Sequence, residues 1–107
     1  MQIEILYFEG CPNHFATHQA VLNAIQELGV EATIMETAVE TPADAESKRF
    51  PGSPTVRIDG QDADSTGATD SGYGLRCRRY MTPDGMQGAP TCGMIKMAIL
   101  TNQADSG

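Results

Sequence analysis

The chain has 107 residues, of which 40% are hydrophobic and 20% charged, and its formal net charge is −7. This length predicts one domain with a modest core. The acidic balance argues against nucleic-acid partners, since a phosphate backbone attracts a basic surface, and against anionic membrane surfaces. We expect no membrane span, because no run of about 18 apolar residues occurs. The start, MQIEILYF, lacks a basic leader, so we expect a cytoplasmic protein without a signal peptide.

The first half of the chain predicts a strand–helix–strand–helix order. QIEILYF (2–8) alternates and then becomes apolar, as a central strand does. Residues 12–28 have helical periodicity, with Pro12 as the first helical residue. VEATIMET (30–37) alternates as a second strand, and TPADAESKR (41–49) carries a capping box for a short helix.

The second half predicts a hairpin and a last helix. SPTVRID (53–59) is a third strand, closed by the hairpin signal Asp-Gly, and residues 61–74 form a long polar loop. YGLRCRRYM (73–81) is predicted as the fourth strand, and PTCGMIKMAIL (90–100) as the final helix.

These elements predict an α/β fold in the order β-α-β-α-β-β-α. A strand–helix–strand unit followed by a hairpin gives a four-stranded sheet that mixes parallel and antiparallel strands, with helices on its faces. We expect a single domain over residues 1–101 and a frayed tail over residues 102–107.

Two motifs carry a resemblance to a known fold. GCPNH ends the first strand as a helix begins, and SPT leads a later strand, so the chain resembles the thioredoxin-like proteins, which include the glutaredoxins. The resemblance implies that Cys11 is the attacking thiol and that Pro54 is a cis-proline beside it. The second cysteine of the family's C-x-x-C motif is replaced by His14. Redox chemistry would therefore be monothiol, use an external thiol such as glutathione, or recruit Cys77 or Cys92.

A narrower resemblance rests on three segments: GCPNH, FPGSPTVRIDG and YGLRCRRY. Together they are similar to a set of small thioredoxin-like bacterial proteins, some of which are labelled as related to alkylmercury lyases. Those enzymes use two cysteines and an acid to protonate a carbon–mercury bond. The resemblance implies Cys11, either Cys77 or Cys92, and Asp70 as candidate groups for that chemistry.

The CPNH motif is a candidate thiol site on its own residues. Cys11 is expected at the helix cap, facing the unpaired amides of the first turn. Those amides and the helix dipole favour an anion, and hence the thiolate. His14 falls on the same side and is a candidate base or charge partner. We predict Cys11 as the nucleophile and His14 as the group that tunes it, while Pro54, implied by the resemblance, shapes the substrate groove.

Three hypotheses stay open for this helix face. The spacing C-x2-H-x3-H places Cys11, His14 and His18 on one apolar face, and thiolate with imidazole suits zinc or a thiophilic metal such as mercury. The thiol hypothesis uses only Cys11 and His14, requires no cofactor, and takes a small thiol or a protein disulfide as partner. In the third, His18 is a buried, hydrogen-bonded core histidine and His14 merely caps the site. Separately, the missing second cysteine of the C-x-x-C motif leaves open a non-catalytic interaction domain.

The two remaining cysteines have weaker signals. Cys77 lies among arginines in GLRCRR, either as a partner for Cys11 or as a core cysteine on a strand with a charged outer face. Cys92 begins the last helix, where Thr91 is as good a cap.

Overall fold

The structure, a computed structural model, describes residues 1–64 and 73–106, with side chains as far as residue 103. The elements in chain order are β1 (Gln2–Tyr7), α1 (His14–Leu28), β2 (Thr33–Ala38), α2 (Pro42–Ser47), β3 (Thr55–Ile58), β4 (Gln61–Asp62), β5 (Tyr80–Thr82), β6 (Gly85–Gln87) and α3 (Cys92–Ser106). Among these helices, none is long and apolar enough to cross a membrane.

The predicted four-stranded mixed sheet is confirmed, with the strand order β2-β1-β3-β4. β1 pairs in parallel with β2, because α1 carries the chain back across the sheet between them. β3 runs antiparallel to both β1 and β4. The Asp-Gly signal does form the β3–β4 hairpin: Asp59 and Gly60 have φ angles of 49° and 88°, as a two-residue hairpin turn requires.

The core lies on both faces of the sheet, because alternate residues of β1 point in opposite directions. Ile3 and Ile5 face α1 and α3, whereas Leu6 faces α2. The first cluster consists of Ile3, Ile5, Val21, Ala24, Val56, Ile58, Ile95 and Ile99. The second, smaller cluster consists of Leu6, Val39, Ala45 and Phe50.

The short second helix forms as its sequence predicts. Thr41 is the cap, and its hydroxyl accepts a hydrogen bond of 3.0 Å from the Asp44 amide. Pro42 occupies the first helical position, where its missing amide hydrogen costs nothing. Local signals are therefore sufficient to place α2.

The predicted fourth strand at residues 73–81 is wrong. The fourth strand of the sheet is β4, directly after the hairpin turn. Before β5 begins, the described backbone pairing of the 73–81 segment is one isolated bridge, between Ser53 and Cys77, outside the named strands. The segment does not pair as a strand of this sheet because the Arg78 side chain points into the protein, where its ion pair with Asp62 holds the segment at the end of the sheet.

Arg78 is buried and makes a two-pronged ion pair. Its two terminal nitrogens donate to the Asp62 carboxylate at 2.7 and 2.8 Å. One nitrogen also donates to the Asp64 carbonyl at 2.5 Å, and the guanidinium lies 4.6 Å from the centre of the Tyr80 ring. Burial alone would lower the pKa of Arg78, but the hydrogen bonds and negative charge of Asp62 hold it above its usual range. The arginine therefore stays charged and ties the 73–81 segment to β4.

Two helix boundaries also differ from prediction. α1 begins at His14 and not at Pro12, because Asn13 has φ −101° and ψ 2°, outside helical geometry. α3 continues to Ser106 and does not end at residue 100, so the tail expected to fray is largely helical. The tail sequence TNQADS contains neither glycine nor proline, so no local signal ends the helix earlier.

We predict that Arg78→Met destabilises the fold by about 3–5 kcal/mol, because it leaves the largely buried Asp62 carboxylate without its partner. The measurement is the midpoint and slope of urea unfolding. Arg79→Met is the matched control: it changes the neighbouring, exposed arginine and should cost no more than about 0.5 kcal/mol. Equal losses in the two variants would contradict a structural role for the Arg78–Asp62 pair.

Candidate functional site

Cys11 lies in a turn just beyond the end of β1. Its amide donates to the Phe8 carbonyl at 3.2 Å, which folds the chain back before α1 begins. The cysteine is free and partly buried. The residue is therefore held in a defined turn and is partly exposed.

The Ser53–Pro54 peptide bond is cis, as the resemblance implies. Leu6 pairs with Thr55 in the β1–β3 ladder, so Pro54 lies at the same sheet end as the Cys11 turn. The Ser53 hydroxyl accepts a hydrogen bond of 3.4 Å from the Phe8 amide, which joins the proline loop to that turn. The structure thus brings the segments of Cys11 and Pro54 together.

The Pro54 loop is held from its other side by β5. The Tyr80 hydroxyl donates to the Pro54 carbonyl at 2.6 Å. Burial raises the pKa of Tyr80, so the phenol keeps its proton and the hydrogen bond persists across the neutral range. Pro54 is consequently fixed in place by a long-range contact that the sequence motif does not reveal.

The predicted capping position of Cys11 is wrong. Asn13 is the residue at the cap, two positions later, and its side chain makes no capping hydrogen bond. That side chain packs instead against Gly88, where an added Cβ would lie 2.9 Å from Asn13 Cγ. The side chain at the cap position is therefore engaged by a residue distant in sequence instead of capping α1.

His14 faces Tyr7 and Glu36 in this structure. Its ring stacks on Tyr7, with centroids 3.8 Å apart and planes inclined by 8°. Its Nε2 lies 3.0 Å from Glu36 Oε1, as an ion-pair contact without the alignment of a hydrogen bond. Within the described residues, no hydrogen bond joins the His14 ring to the Cys11 thiol. The expected nucleophile–base pair is therefore not assembled here.

His18 meets the same carboxylate. Its Nδ1 lies 2.6 Å from Glu36 Oε1, and a third of its side chain is exposed. The prediction that His18 is hydrogen-bonded is confirmed, but the prediction that it is fully buried is not.

The sequence analysis did not predict Glu36 as part of the site, although the pattern of β2 contained one indication of it. Ile34, Glu36 and Ala38 share a strand face that turns toward α1, so an acid there needs a partner.

No metal centre is assembled among residues 1–64 and 73–103. None of their groups of three or more His, Cys, Asp and Glu side chains is placed to hold an ion. The proposed ligands His14 and His18 converge on Glu36, and Cys11 lies on the turn before the helix. Zinc or mercury binding by Cys11, His14 and His18 stays a prediction.

Cys77 reaches the same sheet end as Cys11. It pairs with Ser53 through two backbone hydrogen bonds, from Ser53 N to Arg76 O at 2.8 Å and from Arg78 N to Ser53 O at 2.9 Å. Its side chain is exposed, so the prediction of a core cysteine is wrong. Asp70, the candidate acid, lies outside the described residues.

Cys92 lies at the far end of α1. Its thiol donates to Glu27 Oε2 at 3.1 Å, in the last turn of that helix. From His14 to Glu27 the helix rises about 20 Å, which separates Cys92 from the Cys11 turn. Burial, the hydrogen bond to Glu27 and its negative charge raise the pKa of Cys92. This thiol is therefore kept protonated and takes no part in the candidate site.

The two histidines predict a pH-dependent contribution of Glu36 to stability. Burial alone would raise the pKa of Glu36, but the hydrogen bond to His18 and the nearby His14 ring outweigh it and leave the pKa below its usual range. A carboxyl shifted in this direction stabilises the fold above the unfolded-state pKa, about 4.3, and loses that effect as pH falls through the folded value. Since 34% of the side chain is exposed, screening limits the effect to about 1 kcal/mol or less.

We therefore expect Glu36→Gln to lower the urea midpoint in mildly acidic solution, and the difference from wild type to shrink as pH falls below about 4. Glu31→Gln, on an exposed residue just before β2, is the control and should show little difference at any pH. A pH-independent loss in Glu36→Gln would show that the charge of Glu36 is not what stabilises the fold.

A second prediction concerns Cys92. Glu27→Gln removes the negative charge that holds the thiol protonated, so the pKa of Cys92 should fall and its alkylation should become several-fold faster at fixed mildly alkaline pH. Mass spectrometry of each cysteine peptide measures this directly. Cys77 in the same sample is an internal reference, and Glu46→Gln on α2 is the control variant. An unchanged rate would contradict control of Cys92 by Glu27.

None of the protein-family models, curated proteins or solved structures compared with this chain matches it significantly. The function is therefore inferred from the placement of the chain's own side chains.

Proposed function

We propose that this chain is a thiol–disulfide oxidoreductase of thioredoxin-like fold, in which Cys11 is the attacking thiol. The observation that carries the proposal is the position of Cys11. A free, partly exposed cysteine lies in the turn after β1, and that turn is hydrogen-bonded to the loop of the cis Ser53–Pro54 peptide bond.

The strand arrangement supports the fold assignment. A parallel β1–β2 pair joined by α1 is extended by an antiparallel β3–β4 hairpin, and Cys11 and Pro54 occupy the ends of adjacent strands β1 and β3. This is the relation between the attacking cysteine and the cis-proline that the resemblance implies. The β5–β6 hairpin is an addition between β4 and α3.

The proposed reaction needs no cofactor. The Cys11 thiolate attacks one sulfur of a substrate disulfide, a mixed disulfide forms on Cys11, and the other substrate sulfur leaves as a thiolate that takes up a proton. An external thiol of the glutathione class then attacks the mixed disulfide and regenerates Cys11. A reducing compartment supplies that thiol, so the proposal places the protein in the cytoplasm.

His14 has a positioning role in this proposal. Its ring is stacked on Tyr7 and held near Glu36, so it fixes the first turn of α1 against the strand that leads to Cys11. His14 does not pair with Cys11 because its ring is stacked on Tyr7.

Two other hypotheses remain alternatives to this function. A thiophilic-metal or alkylmercury-lyase-like role would use Cys11 with a second cysteine, and a non-catalytic interaction domain would use neither. Stoichiometric Hg(II) binding to Cys11 without any turnover of disulfides would favour the first. Absence of both activities would favour the second.

We predict that Cys11→Ser reduces catalysed thiol–disulfide exchange to the uncatalysed rate, because the attacking sulfur is gone. The assay follows reduction of a small-molecule disulfide by glutathione at fixed pH. Cys92→Ser is the matched control and should retain full activity, since Cys92 lies at the other end of α1. Urea unfolding of each variant shows that any loss is not due to unfolding. Exchange that survives in folded Cys11→Ser would refute the proposal.

A further inference from the structure

We propose that Cys77 is the resolving thiol of this protein, which attacks a mixed disulfide formed on Cys11. The inference rests on the proposed function of Cys11 and extends it to a second, sequence-distant cysteine. The observation that carries it is the shared partner Ser53, which contacts the segments of both thiols.

Ser53 joins the two segments from opposite sides. Its hydroxyl accepts from the Phe8 amide at 3.4 Å, three residues before Cys11, while its backbone pairs with the segment of Cys77. Phe8 and Cys77 thus contact the same residue, one through its side chain and the other through its backbone. Cys11 folds back onto Phe8 through its own amide at 3.2 Å. Both thiols therefore belong to one end of the sheet.

The position of Cys77 is fixed by its neighbour. Arg78 is buried in its ion pair with Asp62, which anchors the backbone next to Cys77. The two residues alternate along an extended segment, with Arg78 turned inward and Cys77 turned outward into solvent. Cys77 is thus an accessible sulfur on a rigid support.

The Cys11 turn provides the movement that a bond requires. A disulfide needs Cα atoms within about 7 Å, and the chain between β1 and α1 has no regular secondary structure. Residues 9–13 therefore shift toward Cys77 as the bond closes, while Phe8 stays bonded to Ser53. Cys92 is no competitor, since its thiol is held by Glu27 about 20 Å along α1 from the Cys11 turn.

The step balances without a further reagent. The Cys77 thiolate attacks Cys11 Sγ of the mixed disulfide, the Cys11–Cys77 bond forms, and the substrate sulfur leaves as a thiolate that is protonated by water. The two cysteines are oxidised by two electrons and the substrate disulfide is fully reduced. Two molecules of a glutathione-class thiol then reduce the protein disulfide and leave as one oxidised dimer.

The test treats the reduced protein with glutathione disulfide and quenches it with acid at increasing times. Peptide mass spectrometry then follows the glutathione adduct on Cys11 and each protein disulfide. In wild type we expect a transient adduct that gives way to a Cys11–Cys77 disulfide within the monomer. In Cys77→Ser the same adduct should accumulate and last at least about tenfold longer, since exchange with a tethered thiol is faster than with a free one. Cys92→Ser should behave as wild type.

Each other outcome separates the two proposals. A Cys11 adduct that is as long-lived in wild type as in Cys77→Ser overturns the resolving role and leaves Cys11 as a monothiol enzyme. A Cys11–Cys77 bond found only between two chains, recognised as a disulfide dimer on a non-reducing gel, also overturns it. No adduct on Cys11 in any variant overturns the proposed function and the resolving role together.

Discussion

The buried ion pair between Arg78 and Asp62 is the contact on which the arrangement of this chain depends. It joins two residues sixteen positions apart in sequence, Asp62 in the shortest strand of the sheet and Arg78 just before β5. A buried charge that loses its partner is costly, so the pair holds the described segment before β5 against β4. The residue next to Arg78, Cys77, pairs with Ser53 through an isolated bridge.

The candidate site lies next to that contact. The Ser53 backbone pairs with the Cys77 segment, and the Ser53 hydroxyl accepts from the Phe8 amide just before the Cys11 turn. The Tyr80 hydroxyl donates to the carbonyl of the adjacent Pro54. The reactive end of the sheet thus consists of loops, yet each loop is pinned by at least one hydrogen bond to another. A site of this kind combines exposed sulfur with a rigid frame, as thiol exchange requires.

Sequence reasoning found what local chemistry decides. The Asp-Gly turn, the Thr41 cap and the alternation of β1 each act over a few residues, and each was predicted correctly. The errors arise where a distant partner intervenes. Arg78, predicted on the charged outer face of a strand, is buried in its ion pair with Asp62, and Asn13, at the start of α1, packs against Gly88 instead of capping the helix. His14 was placed with Cys11 by spacing alone, whereas the flat face of Tyr7 sets its actual direction.

The hydrogen bond between Cys92 and Glu27 has a consequence for oxidative damage. Oxidants such as hydrogen peroxide attack thiolates much faster than thiols, so a sulfur whose pKa is raised by burial and by the neighbouring Glu27 carboxylate is attacked more slowly. Because Cys92 also packs against the main core cluster, conversion to a sulfinic acid would put a permanent charge beside apolar side chains. Glu27 thereby helps to protect a cysteine whose oxidation would disturb the core.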